Sequence, residues 1–229
     1  MDVTYLGHAC FLITGETGKK IIIDPFISEN PLAPMKVNDI NVDLIVVTHG
    51  HFDHLGDAVE LANKCDCPIV AVVELANYCQ AQGAKVHPMQ IGGSFDFGFV
   101  KVKLTLAFHS SSILSEPAQY MGNPAGVLLY FEERTLYHAG DTALFGDMGL
   151  IGALNNIDVA MVPIGDNFTM GPADAIEALK LLRPKVAIPM HYNTWDIINQ
   201  TAESFERQVE LQTNVTPAPL KPGETYIVP

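Results

Sequence analysis

The chain predicts an α/β fold built as two stacked βα halves, and three observations carry that reading. Short apolar runs of strand length recur along it, among them Leu44-Ile45-Val46-Val47, Ile69-Val70-Ala71-Val72 and Val159-Ala160-Met161-Val162, as expected of buried strands. Helical patterns follow several of these runs. The order of elements also repeats: a strand-rich block and then strand–helix units, once before Val86 and again after Ser94. No clear sequence repeat accompanies this order and no linker interrupts it. The expectation is therefore one domain over 1–229, made of halves at about 1–90 and 91–229. A chain of 229 residues can bury one substantial core without disulfides.

Residues 3–6, 10–14 and 20–23 read as strands, the last two joined through Gly15-Glu16-Thr17-Gly18, which has turn chemistry. The stretch 25–41 holds three prolines and little periodicity, so it is expected to be a loop walling one side of a site. Residues 55–63 and 74–81 read as helices, Gly83 stopping the second. A short buried strand, 69–72, lies between them, and another begins at Val86. Residues 94–97 and 100–108 should pair antiparallel around Gly98. Val100, Val102, Leu104, Leu106 and Phe108 alternate there with Lys101, Lys103, Thr105 and Ala107, the pattern of a sheet wet on one face. The polar stretch 110–126 is expected to be a long loop with a binding or gating role. Strands 127–131 and 135–138, a helix at 147–154 and a strand at 159–164 follow. Pro172 suits the start of a helix over 173–182. A strand at 185–189, a helix at 201–209 and a closing edge strand at 225–228 complete the chain.

A net charge of -13 argues against a general binder of phosphate backbones, so nucleic acid is not expected as a partner. Four cysteines lie in the first third, and Cys65-Asp66-Cys67 has no second pair downstream. They read as thiols in a reducing compartment, not as a structural zinc site. The start, Met1-Asp2-Val3-Thr4-Tyr5, lacks a basic stretch and a long apolar run, so no signal peptide is expected. No segment reaches the roughly 18 apolar residues of a membrane span. A cytoplasmic protein is the expectation, with a small-molecule substrate and a homo-oligomeric state also expected.

The most informative stretch is Thr48-His49-Gly50-His51-Phe52-Asp53-His54, directly after the apolar run 44–47. Imidazole nitrogens and a carboxylate at this density suit zinc or another borderline cation. On a helix, His49, His51, Asp53 and His54 would point around much of the axis, so the stretch reads as a tight loop leaving a strand. His109, Asp141 and His191 also follow strands, where loops of α/β proteins converge on ligands. Seven ligands divide between two divalent cations: His49, His51 and His109 for the first, Asp53, His54 and His191 for the second, with Asp141 bridging. Histidine-rich ligation favours zinc, while the oxygen ligands admit manganese or iron.

The series His49-x-His51-x-Asp53-His54, then His109, Asp141 and His191, resembles the ligand series of the metallo-β-lactamase superfamily. Tyr5-Leu6-Gly7-His8-Ala9-Cys10-Phe11-Leu12-Ile13, with Thr48–Asp57 and His138-Ala139-Gly140-Asp141-Thr142, more narrowly resembles a branch of metal-dependent hydrolases. Relatives of that branch include an ascorbate-phosphate lactonase and phosphodiesterases of N-acyl phosphatidylethanolamines. The resemblance implies a four-layer αβ/βα sandwich, two mixed sheets flanked by helices, with a dinuclear site along one edge. His51 stands where di-iron redox members carry a carboxylate, which favours hydrolysis. Asp141 weakens a β-lactamase reading, and no arm for holding tRNA is visible.

The implied activity is metal-dependent hydrolysis by a metal-bridging hydroxide of a small ester, lactone or phosphoester. The alternatives are a phosphodiesterase acting on nucleotide or lipid headgroups, and a metal-binding scaffold without catalysis. Asp53 is expected to ligate the second cation and orient the nucleophile. For His8 three readings stand: a proton donor or anion-binding group at the cleft, a hydrogen-bonding support for a ligand, and strand-end packing. Asn167 and Tyr192 are expected to contact substrate, Phe168 and Met170 to pack. His138 reads as a buried support or core histidine, and His87 as a surface or turn residue.

Overall fold

The computed structural model describes residues 1–229, whose strands form two mixed seven-stranded sheets and one short hairpin. β1 (Asp2–Tyr5), β2 (Phe11–Thr14) and β3 (Lys20–Ile23) make an antiparallel meander. β4 (Leu44–Val46) then runs parallel to β3. α1 (Phe52–Leu55) and α2 (Ala58–Cys65) lead to β5 (Ile69–Val72), and α3 (Val73–Ala81) leads to β6 (Val86–Met89), both strands again parallel. β4 and β5 are wholly buried, which is why their sequences are continuous apolar runs without alternation.

The second sheet begins with β7 (Ser94–Asp96) and β8 (Val100–Leu106). A small hairpin, β9 (Ser112–Ile113) and β10 (Gln119–Tyr120), stands apart before β11 (Ala125–Phe131) and β12 (Arg134–His138). α4 (Met148–Leu154), β13 (Val159–Pro163), α5 (Pro172–Leu182), β14 (Val186–Met190), α6 (Ala202–Gln212) and β15 (Thr216–Pro217) follow. β12 to β15 are parallel, and β11, β8 and β7 extend the sheet antiparallel. The last strand, β16 (Thr225–Ile227), crosses back to pair with β1 at the edge of the first sheet.

Each sheet is thus an antiparallel block joined to a parallel block. α2 and α3 pack on β4–β6, while α4, α5 and α6 pack together beside the second sheet, α6 against β15. α5 shows why these helices dock: Ala175, Ile176, Ala178, Leu179 and Leu182 fall on one buried stripe, and each large side chain so buried contributes about 1.5–3 kcal/mol. Tyr5, Phe11, Phe26, Tyr137, Phe131 and Phe205 are the bulkiest wholly buried groups.

Three expectations need correction. The helix read over 55–63 is two pieces, broken at Gly56, whose φ is 40°. A Cβ there would stand 2.5 Å from the carbonyl oxygen of Pro25, so the chain turns at the one residue that leaves room. The histidine motif is not loop throughout, because Asp53 and His54 sit on the single helical turn of α1. The stretch 110–126 carries strand pairing, and β15 was not legible at all.

The carboxyl ends of the parallel strands from both sheets meet along one edge. Ala125 N–H donates to the Thr48 carbonyl at 3.0 Å and His191 N–H to the His8 carbonyl at 2.6 Å, tying the two sheets together where the functional side chains emerge.

Candidate metal centre

The motif leaves β4 and turns at once. His51 closes the first turn of α1 by accepting from His54 N–H at 3.1 Å and Leu55 N–H at 2.9 Å. Asp53 and His54 therefore face back toward the loop that carries His49 and His51. Gly50 lies against the segment 110–124: its N–H donates to Ser111 Oγ at 3.0 Å, and a Cβ would stand 2.5 Å from the Met121 side chain. Larger residues are excluded there by contact, not by backbone strain.

Two groups of donors result. His49 Nε2 and His109 Nε2 lie 3.0 and 3.3 Å from His51 Nδ1. Asp53 Oδ2 lies 3.8 Å from both His54 Nε2 and His191 Nε2. Asp141 stands between the groups, with Oδ1 3.3 Å from His54 Nε2 and Oδ2 2.9 Å from His191 Nε2 and 3.6 Å from His109 Nε2. Donors about 2.0–2.1 Å from a tetrahedral ion stand roughly 3.4 Å apart, and these separations bracket that value. The donor set suits two cations on a second ground. His54 Nε2, Asp141 Oδ1 and both ring nitrogens of His191 are buried without a hydrogen-bond partner. Buried polar atoms are ordinarily paired, and all of these but His191 Nδ1 are aimed at the space between the groups.

Hydrogen bonds behind the donors fix which nitrogen faces inward. Asp24, wholly buried, accepts from Thr48 N–H at 2.8 Å and from the Thr48 hydroxyl at 2.7 Å. With its proton on Asp24, the Thr48 oxygen accepts from His49 Nδ1–H at 3.0 Å, which leaves His49 Nε2 bare. Asp24 also accepts from His54 Nδ1–H at 2.7 Å, leaving His54 Nε2 bare. Such partners behind ligating histidines hold ring and tautomer in place. His138 is a buried brace, with Nε2–H donating to the Ala9 carbonyl at 2.9 Å and Nδ1 accepting from Gly140 N–H at 3.1 Å. It holds the loop that presents Asp141.

The charges follow from this packing. Burial would raise the Asp53 and Asp141 carboxyls, but the surrounding histidines hold both well below the usual carboxylate range. Burial would lower His191, yet Asp141 carries it up to about 9. His54 is likewise raised, against burial, by Asp141, Asp24 and Asp53. Burial and the neighbouring His191 bring His8 down to about 4.

The structure brings His49, His51, Asp53, His54, His109, Asp141 and His191 together. A cleft of about 940 Å³ opens onto His51, Asp53 and His191. His8 is not at that cleft. It is wholly buried, with Nε2–H donating to Asp53 Oδ2 at 3.0 Å and Nδ1 accepting from Thr194 at 2.8 Å. It lies behind Asp53 because the His191 backbone, bonded to the His8 carbonyl, closes over it. Tyr192 is buried and Asn167 exposed, and neither lines the cleft. Each neighbours a residue that does line it: His191 precedes Tyr192 and Phe168 follows Asn167. Phe168, expected to pack, is half exposed on the cleft wall.

Sequence reasoning missed Asp24, although its place directly after β3, beside the strand that launches the motif, was a usable signal. It also missed Phe52 and Trp195, which line the cleft, for which no spacing signal exists. His87 packs against Phe95 and Phe97, far from these groups.

Residues 2–191 match the family described as Beta-lactamase superfamily domain, a span that contains all seven converging donors. The chain belongs to the metallo-β-lactamase superfamily. Within it, the chain falls in the UPF0173 branch: it is 54% identical over 226 residues to a UPF0173 metal-dependent hydrolase of Desulforamulus reducens, covering 98% of each chain. A second, from Pelotomaculum thermopropionicum, is 52% identical over 227 residues, covering 98% of this chain and 99% of its relative. Among solved structures, Igni18, a metallo hydrolase from the archaeon Ignicoccus hospitalis, superimposes with a TM-score of 0.90 at 35% identity over 98% of this chain and 97% of that one. The metallo-β-lactamase fold accounts for the site's position, since both antiparallel–parallel sheets deliver their strand ends to one edge.

Proposed function

We propose that the chain is a metal-dependent hydrolase of a small ester, lactone or phosphoester, holding two divalent cations, with zinc favoured by the five imidazoles among the donors. The observation that carries this is Asp141: its oxygens reach His109 of the first group and His54 and His191 of the second, so one carboxylate is within reach of both groups. The relatives named as metal-dependent hydrolases support the same reading.

His49, His51 and His109 would hold one cation and Asp53, His54 and His191 the other, with Asp141 shared. Bound there, the pair supplies a hydroxide nucleophile near neutral pH and polarises the scissile oxygen. The rest is the work of the chain. Asp24 and Thr48 set the tautomers of His49 and His54. Asp53, exposed to the cleft and held by His8 from behind, orients the attacking water. Ser110 Oγ, 3.3 Å from His51 Nε2, accepts from that nitrogen when Nδ1 faces the metal. The open cleft beside the donors favours catalysis over a silent scaffold. The four cysteines are free thiols, which supports a reducing, cytoplasmic setting.

Hydrolysis of simple esters, lactones and phosphodiesters by the zinc-loaded protein, with His51→Ala as the blank, tests this. Turnover lost in the variant supports it, while equal turnover in both proteins contradicts it.

A further inference from the structure

The cleft beside the metal centre is apolar to a degree that a phosphate-binding site would not be. Phe26, Phe52 and Trp195 touch one another along one wall, with ring centroids 5.9, 6.0 and 6.3 Å apart. Around the opening Phe52 is 56% exposed, Phe168 50%, Ile197 60% and Leu114 81%. Large apolar side chains gathered round one opening mark a binding surface. No lysine or arginine lines the cleft, and its carboxylates are Glu29, Asp53 and Asp57. Asp57 is already occupied by the N–H groups of Ile27 and Ser28, at 2.9 and 2.8 Å. Away from the cations, phosphate recognition draws on Arg or Lys, and beyond the metal donors an anionic headgroup would find carboxylates and aromatic rings instead.

Building on the hydrolase reading, we propose that the substrate is an uncharged carboxylic ester or lactone bearing an aryl or medium-length alkyl group, seated against Trp195, Phe52 and Phe168. Water adds to the acyl carbon and the acyl C–O bond breaks. Its electron pair leaves on the alcohol oxygen, which takes up a proton, and a carboxylic acid and an alcohol result with no redox change. The volume of about 940 Å³ leaves room for the apolar group beyond the scissile bond.

Trp195 is the chain's single tryptophan, so its emission reports on this cleft alone. The test titrates N-phenylhexanamide, diphenyl phosphate and benzyltrimethylammonium into metal-free and zinc-loaded protein and follows that emission. Phenyl acetate, butanoate and hexanoate serve as substrates in parallel. The expected result is saturable quenching by the neutral amide in both forms of the protein, in the metal-free form at least about tenfold tighter than by either ion, and weakened about tenfold by Phe168→Ala. kcat/KM should rise about fourfold with each added methylene of the ester, and less steeply in Phe168→Ala. Tighter binding of diphenyl phosphate or of the ammonium ion to the metal-free protein, or an amide that leaves Trp195 emission unchanged, overturns the proposal. An amide that binds as expected while no ester is cleaved upholds the preference of the cleft and sinks the hydrolase reading instead.

Discussion

His54 Nδ1 lies 2.7 Å from Asp24 Oδ2, and both side chains are wholly buried. A carboxylate accepts only, so the proton must sit on Nδ1 and the bare Nε2 must face Asp141 and Asp53. The same carboxylate fixes His49 through Thr48, which makes Asp24 a positioning residue for both halves of the centre. Asp24→Asn keeps one acceptor and loses the charge. It should weaken zinc binding by about 10–100-fold, read by competition with a coloured chelator. Unchanged affinity would show that Asp24 only packs.

His8 makes a comparable contact on the other side. Its Nε2–H donates to Asp53 Oδ2 at 3.0 Å, and the ring is sealed from the cleft. His8→Ala should lower kcat by about tenfold or more with little change in KM, because it frees Asp53 to rotate. His8→Gln, which restores an N–H donor, should recover much of that loss. A KM effect alone, or no rescue by Gln, would contradict a positioning role.

Asp53 is the carboxylate we propose ligates one cation and orients the nucleophile. Asp53→Asn should fold normally and lose about 100-fold or more of turnover, measured at saturating metal. Full activity with correct metal content would remove Asp53 from the mechanism.

Metal loading should release protons. In the metal-free protein Asp141 raises His191 to about 9, so at pH 7.5 that ring holds a proton that ligation must expel. The sign also bears on stability: a raised histidine stabilises the metal-free fold fully below its unfolded value of about 6.5, and that contribution fades as pH rises toward 9. Calorimetric titration of zinc in buffers of different ionisation enthalpy should therefore show net proton release at pH 7.5 and less at pH 9.5. Proton uptake, or none at either pH, would contradict the charge assignment.

Gly165 follows β13 and lies so close to the His191 carbonyl that a Cβ would collide with it. Gly165→Ala should cost about 1–3 kcal/mol by overpacking, seen in thermal melts, and should reduce zinc affinity because His191 is the residue displaced. A melt and affinity equal to those of the parent would show that this backbone relaxes freely.

The converging donors were legible because their chemistry is local: His49, His51, Asp53 and His54 fall within six residues, and His109, Asp141 and His191 each follow a strand. The alternation in β8 and the continuous apolar runs of β4 and β5 were legible for the same reason. What failed depends on long-range packing. Whether Asp53 and His54 sit on a loop or a helical turn is decided by Gly56 meeting Pro25, thirty-one positions earlier in the chain. His8 lies in the turn after β1, but only the fold shows the His191 loop closing over it. Phe168 and Trp195 carry no spacing signal, since the cleft exists only after two distant loops meet. The short β15 and the sheet change of β16 were hidden by the same non-locality.

In the proposed catalytic site two cations would share Asp141. The most direct measurement adds zinc stepwise to chelator-stripped protein and follows both bound metal by mass spectrometry and hydrolysis of phenyl hexanoate. Turnover should reach its plateau as the second cation per chain binds, and Asp141→Ala should abolish that plateau. A plateau reached with one cation, or turnover by the metal-free protein, would contradict this arrangement.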